Sequence, residues 1–376
     1  MRTDIAPNVK AWLAAPLAPD VRRAIRRLAG AEDVRRIAIM PDVHLAGDVC
    51  IGTVLATTRL IYPAAVGGDI GCGIAAVAFD LPADSIREVN RAERTFALLR
   101  ERVPIIRHAR ESRPELPGEL FETPLSDRRL ESIRRRDGVV QFGTLGRGNH
   151  FLEFQSDEDD RLWLMVHSGS RAMGQTIRDS HTERSMRRSG GLAFLDAGTD
   201  VGAAYLADAQ WARRYARANR RAMVDAVAGI VRELLGGTLD EPSYFDGDHN
   251  HVEREAHDGV PLWVHRKGAN NAGLGQAGII PGSMGTESFH TEGRGNAASL
   301  CSSSHGAGRA MSRDEARRTI GHNEIRREMG ETFYDDSCDL REEAPSAYKD
   351  LRAVFRAQAD LVKRVRRLRP VLSYKG

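Results

Sequence analysis

YPAAVGGDIGCGIAAVAFDL, residues 62–81, joins the two features from which the fold and its site are read: a glycine-rich loop carrying a carboxylate and a thiol, and the strand that the loop leads into. Gly67, Gly68, Gly71 and Gly73 let the backbone fold sharply enough to turn Asp69 and Cys72, three residues apart, toward one point. A carboxylate and a thiol together suit a divalent metal, and the thiolate favours a transition metal over magnesium. The same residues also read as a buried cysteine in an ordinary turn before a strand.

Upstream, residues 54–60 give another strand pattern, and residues 37–40 a short apolar strand that stops at MPDVHLAGDVCIG. Asp42, His44 and Asp48 gather just past that strand end, where a site or an Asp-stabilised turn would both place them. Residues 19–36 read as a basic amphipathic helix with a break at Gly30, its charged face either solvated or in contact with RNA.

Downstream, residues 84–137 are helical and charge-rich, with prolines at 104, 114, 117 and 124, and read as a scaffold or insertion with an RNA-facing surface. QFGTLGRGNHFLEF then sets Asn149, His150 and Glu153 behind three glycines at the start of a strand. LWLMVHSGSR ends a strand on His167, with Arg171 just beyond. Residues 201–235 form the clearest helix, with an apolar stripe from Leu206 to Leu234 and a stop at Gly236; arginines 213, 214, 217, 220 and 221 lie on its other flank. YFDGDHNHVERE brings His249 and Asn250, and the strand PLWVHRKGA brings Arg266 and Lys267. In IIPGSMGTESF, Gly282, Ser283, Gly285, Thr286 and Ser288 make a small-residue loop able to surround a nucleotide. CSSSHGAGR presents His305, with Gly306 and Gly308 freeing backbone N–H groups for phosphate and Arg309 closing the run. The last 70 residues read as helical.

Composition bounds the function classes. Hydrophobic content of 41% and charged content of 28% over 376 residues are those of a soluble globular protein. With 55 Lys+Arg against 52 Asp+Glu, a nucleic-acid face must come from segregated charge. Four cysteines in no CxxC pair exclude a disulfide framework and a structural zinc finger, leaving single thiols as ligands. The N-terminus has no signal-like apolar core and no run of about 18 apolar residues occurs, so a cytoplasmic protein with no membrane partner is expected.

Asp69, Cys72, His150, His167 and His249 are too many ligands for one tetrahedral site and suit two metals, with Cys72 the natural bridge. The donor set admits manganese, zinc, iron or cobalt. His305 is then left over as a non-ligand, available as nucleophile or as general acid or base. Arg309, Arg266 and Lys267 are expected to stabilise phosphoryl charge.

MPDVH, VGGDIGCG, GTLGRGNHFLE, VHSGSR, HNHVE, HRKGA, IPGSMGTESF, SHGAGR and a terminal KG occur, from residue 40 to 376, in the order found in the RtcB family of RNA ligases, which the chain resembles over nearly its whole length. The resemblance implies a single α+β domain spanning residues 1–376, with mixed β-sheets flanked by helices and the active site at strand ends. It implies a ligase dependent on GTP and two manganese ions that joins an RNA 3′-phosphate or 2′,3′-cyclic phosphate to a 5′-hydroxyl. By motif, His305 resembles the guanylylated histidine, and Asp69, Cys72, His150, His167 and His249 the metal ligands. Asn149, Glu153, Asn250, Ser283, Ser288, Tyr348 and Lys375 resemble the guanosine-nucleotide contacts, joined by Gly306 and Gly308. Arg171 is grouped with Arg266, Lys267 and Arg309 as an RNA or phosphate contact. The resemblance implies the RNA ends as partners, in tRNA splicing or RNA repair, and leaves open the need for an archease-type activator. The chain departs from the family pattern at Gly68 and in the LAGDVCIG loop. Two other readings compete: a 3′-end guanylyl-capping or end-healing enzyme with little sealing activity, and an RNA-binding protein that has lost catalysis. A binding module has no need of a lone thiol and three separated histidines.

Overall fold

The computed structural model of the chain describes residues 5–185, 188–335 and 339–376, so Cys338 lies outside the described residues. The fold is α+β and is built on two mixed sheets. Five strands form the first, in the order Val9–Ala11, Val34–His44, Ile51–Thr57, Val260–Lys267, Asn250–His257. The second runs Leu239–Asp248, Gly73–Pro82, Arg161–Ser168, Phe151–Ser156, Val362–Lys375, Ser288–Gly293, Ala277–Ile280, with Phe333–Tyr334 parallel to Val362–Lys375.

Register brings the site together. In the second sheet Gly73 lies opposite both Ser168 and Asp248, and Phe151 opposite both His167 and Lys375. In the first, Asn250 lies opposite Lys267, and Lys267 opposite Thr53. His249 alone separates Asp248 from Asn250, so it sits where the chain crosses from one sheet to the other. Both sheets therefore end at one place. A slip of one residue in any of these pairings would turn the site-facing side chains to the opposite face.

The strand Gly73–Pro82 is covered on both sides: Ala75, Val77 and Phe79 join one apolar cluster, and Ile74, Ala76 and Ala78 another. Burial on both faces explains a run with no polar alternation. The helix Asp200–Leu235 packs Met223, Val227, Ile230 and Val231 into the first of these clusters, each burial favourable by about 1.5–3 kcal/mol. It begins at Thr199, whose hydroxyl accepts from Gly202 N at 3.3 Å, and stops at Gly236 with φ 75°. Between residues 84 and 137, Ala92, Phe96 and Leu99 enter that cluster and Leu120, Leu125 and Leu130 another, so this stretch packs into the core.

Four boundaries differ from the sequence reading. The first helix is Pro19–Ala29, and Val34–Arg36 already belong to a strand that continues through His44. The strand expected at 54–60 is Ile51–Thr57, with Leu60–Ile61 a separate short strand. Most important, the last 70 residues are not all helical: short helices at Arg313–Thr319, His322–Met329 and Leu351–Ala357 give way to a strand of 14 residues, Val362–Lys375, inside the large sheet. Five cations between Lys363 and Arg369 mask its pattern, and two of them lay their guanidinium groups over aromatic rings: Arg364 sits 5.4 Å from the Phe289 ring and Arg366 4.6 Å from that of Trp163. Pro370 falls at a register shift, where its missing N–H removes nothing from the ladder.

Candidate active site

Cys72 is common to two triads of donors, Asp69–Cys72–His150 and Cys72–His167–His249, all buried except the half-buried Asp69, and the ligand atoms within each triad lie within 4.8 Å of one another. The sulfur is 3.5 Å from His150 Nε2 and 3.3 Å from His167 Nε2, and the Nε2 atoms of His167 and His249 are 3.3 Å apart. Backbone fixes these rings: His150 Nδ1 donates to Leu145 O at 3.0 Å and His167 Nδ1 to Asn149 O at 2.9 Å, turning each Nε2 inward.

Electrostatics agree with ligation. Burial opposes charge on Asp69, but the hydrogen bond and charge of His150 outweigh it and hold the carboxyl down at about 2. Burial drives His167 and His249 well below the ordinary histidine range, keeping them in the neutral ligand form. It also pushes the Cys72 thiol well up, a shift that the charge of a bound cation would reverse. Imidazole, carboxylate and sulfur atoms converging with one sulfur shared fit two divalent transition ions better than they fit a network of shared protons.

His305 stands beside this centre, its ring centroid 4.7 Å from that of His249, and takes no part in either triad. Asp42, fully buried, accepts from His305 N at 3.1 Å and from Nδ1 at 2.7 Å. A proton held on Nδ1 leaves the lone pair on Nε2. Gly308, with φ +75°, is required here: a Cβ would stand 2.2 Å from the Asp42 carbonyl oxygen.

In front of His305 lies a cavity of about 930 Å³, lined by Asn149, Glu153, Ser283, Ser288, Gly306, Gly308, Arg309, Tyr348 and Lys375 among others. Its far wall is organised by Glu343, only 2% exposed, which accepts from Lys375 Nζ and Arg313 at 2.8 Å each and from the Tyr348 hydroxyl. Burial opposes ionisation of Glu343, and the charges of Lys375 and Arg313 overcome it, lowering its pKa. Arg309 stacks over Tyr348 at 5.1 Å and donates to Glu342 O. Glu153, by contrast, is raised to about 7 because burial outweighs the hydrogen bonds of Gln155 and Ser373.

Several residues singled out in the sequence lie outside the cavity. Arg266 is fully buried and pairs with Glu255 while reaching His251 Nε2 at 3.2 Å, so its guanidinium is spent on the protein and fills the His251–Glu253–Glu255 grouping. Lys267 Nζ donates to Ala46 O and Val49 O at 2.9 and 2.6 Å. Asn250 braces the metal loop, donating to Asp69 O and accepting from Gly268 N. Arg171 lies behind the metal centre, with Nε on Thr144 and NH1 3.4 Å from His150 Nδ1. On the long helix, Arg213, Arg217, Arg220 and Arg221 all pair with carboxylates of the protein. Arg220 also donates to Gly71 O and Ser168 O, and Asn219 bonds Gly143, Thr144 and Ser168, so one helix turn clamps three site loops.

Sequence reasoning left Asp42 among several candidates and missed Glu343 and Arg313. MPDVH carried the signal for Asp42; Glu343, in a charge-rich stretch, carried none. Among the described residues no helix is long and apolar enough to cross a membrane.

A protein-family model described as tRNA-splicing ligase RtcB matches residues 24–128 and 121–376. The chain is 36% identical to the RNA-splicing ligase RtcB of Escherichia coli strain K12 over 409 aligned positions, covering all of this chain and 99% of that protein. It is 29% identical to the RNA-splicing ligase RtcB of Mycobacterium tuberculosis, covering 91% of this chain and 97% of that one.

Proposed function

The chain belongs to the RtcB family and is an RNA ligase, and from that premise we propose that it joins RNA 3′-phosphate or 2′,3′-cyclic phosphate ends to 5′-hydroxyl ends through a guanylylated His305. The observation that carries this reading is the state of the His305 ring: Nδ1 is held by buried Asp42, and the ring faces the metal-ligand cluster across the head of a nucleotide-sized cavity.

His305 Nε2 attacks the α-phosphorus of GTP, the bond to the β-phosphate oxygen breaks, and pyrophosphate leaves. Water first opens a cyclic end, breaking the bond from phosphorus to the 2′-oxygen and leaving a 3′-phosphate and a 2′-hydroxyl; an oxygen of the RNA 3′-phosphate then attacks the phosphorus held on His305, and the bond from that phosphorus to Nε2 breaks as GMP passes to the RNA. Finally the 5′-hydroxyl attacks the RNA 3′-phosphorus, losing its proton, and GMP departs. Asp42 holds the ring tautomer throughout and stabilises the positive charge that develops on the imidazole. Glu153, Ser288, Tyr348 and Lys375 line the part of the cavity assigned to guanosine, and Arg309 lies beside Tyr348.

Two manganese ions would be held by Asp69, Cys72 and His150 and by Cys72, His167 and His249. When bound they supply charge neutralisation at the phosphoryl groups.

Incubation with labelled GTP and manganese should give an acid-labile protein–GMP adduct that is absent in His305→Ala. Label persisting in that variant overturns the assignment. A 3′-phosphate RNA and a 5′-hydroxyl RNA should then be joined, with and without an archease-type activator. Capping without joining selects the end-capping reading.

A further inference from the structure

Asp42 is held in place by an irregular piece of backbone. The pairing of Val34–His44 with Ile51–Thr57 loses register between Ile39 and His44, so residues 40–43 bulge out of the ladder. The carbonyls of that bulge find side-chain donors instead. Lys349 Nζ donates to Pro41 O at 3.1 Å and to Val43 O at 2.6 Å, the two carbonyls flanking Asp42. His44 Nδ1 donates to Asp42 O at 2.9 Å. The Lys349 backbone N–H donates to Gly308 O at 2.9 Å, so the same residue also grips the loop three positions past His305.

A half-buried ammonium ion held on carbonyls carries a desolvation cost that its hydrogen bonds offset in part. Burial lowers the pKa of Lys349, and the Asp42 charge opposes that shift. We propose that Lys349 is a positioning residue for nucleophilic attack by His305: it fixes the bulge at Pro41–Val43 so that the Asp42 carboxylate stays aimed at His305 Nδ1. This rests on the reading of His305 as the nucleophile.

The test is single-turnover guanylylation of the full chain with labelled GTP and manganese, comparing wild type, Lys349→Met, Lys349→Arg, Asp42→Asn and the double variant Lys349→Met/Asp42→Asn. Lys349→Met is expected to slow the maximal rate by about ten- to a hundredfold, the scale of a small misplacement of a reacting group. Lys349 also lines the cavity, but its Nζ is turned onto the carbonyls of Pro41 and Val43, so the half-saturating GTP concentration and metal content of the variant should stay within about twofold of wild type. Lys349→Arg, which can still donate to two carbonyls, should recover part of the rate. In the Asp42→Asn background the lysine change should add less than about a twofold loss, since both act through one contact.

A wild-type rate in Lys349→Met, a raised GTP requirement at unchanged maximal rate, or losses that multiply in the double variant would each overturn the proposal. Lys349→Gln, which keeps a donor, carries the same comparisons if the methionine variant fails to fold. Label on His305→Ala would instead sink the nucleophile assignment. With that variant blank and Lys349→Met unimpaired, only the present inference falls.

Discussion

Replacing Asp42 by asparagine keeps the size of the side chain and changes one thing, the carboxylate that meets His305. Two donors point at it, the backbone N–H of His305 at 3.1 Å and the ring Nδ1 at 2.7 Å, and the carboxyl is fully buried. Hydrogen bonds to a charged group contribute about 1.5–3 kcal/mol each. The ring contact bears directly on the reaction, because the imidazole gains positive charge as its Nε2 bonds to phosphorus. An amide offers no negative charge, and its NH2 can turn toward Nδ1 and move the ring proton to Nε2, which removes the nucleophile. Together these losses amount to about 3–5 kcal/mol, or about two to four orders of magnitude in rate at 1.36 kcal/mol per decade. Single-turnover labelling at saturating GTP reads that rate, with metal content and unfolding midpoint measured alongside. A rate within about threefold of wild type, for a variant that folds and holds its metal, would refute the account.

Cys72→Ala removes the atom common to both ligand triads. The variant should lose metal from both sites and fail to guanylylate, and retention of two ions by elemental analysis would contradict the bridging role. Glu153 gives a pH prediction with a definite sign. Its folded pKa is raised from 4.5 to about 7 by burial, so between those values the folded state holds a proton that the unfolded chain has released. Stability from this group is full below 4.5 and is lost as pH rises through 7. Denaturant unfolding across that range should show Glu153→Gln falling less steeply than wild type, and parallel curves would remove Glu153 as the cause.

Local readings meet the structure at the helix read over residues 201–235, which spans Asp200–Leu235, and at the glycine-rich loop that turns Asp69 and Cys72 toward one point. Each depends on neighbours a few residues apart, where backbone freedom and side-chain chemistry act together. The terminal strand escaped because the pattern that marks a strand is apolar alternation, and here arginines whose guanidinium groups stack on Phe289 and Trp163 take the place of apolar residues.

By itself the sequence determined which residue types are gathered and therefore what chemistry is available. Only the tertiary structure decided what each of them faces. Arg266 and Arg309 are the same side chain in similar surroundings of sequence, yet one is fully buried on Glu255 and the other lines the cavity. Asp42 reaches His305 across 263 residues of chain, and Lys349 reaches Asp42's flanking carbonyls across 308 and 306. A charge attracts any opposite partner that comes within a few ångströms, and sheet register, which no local pattern encodes, sets which partner that is.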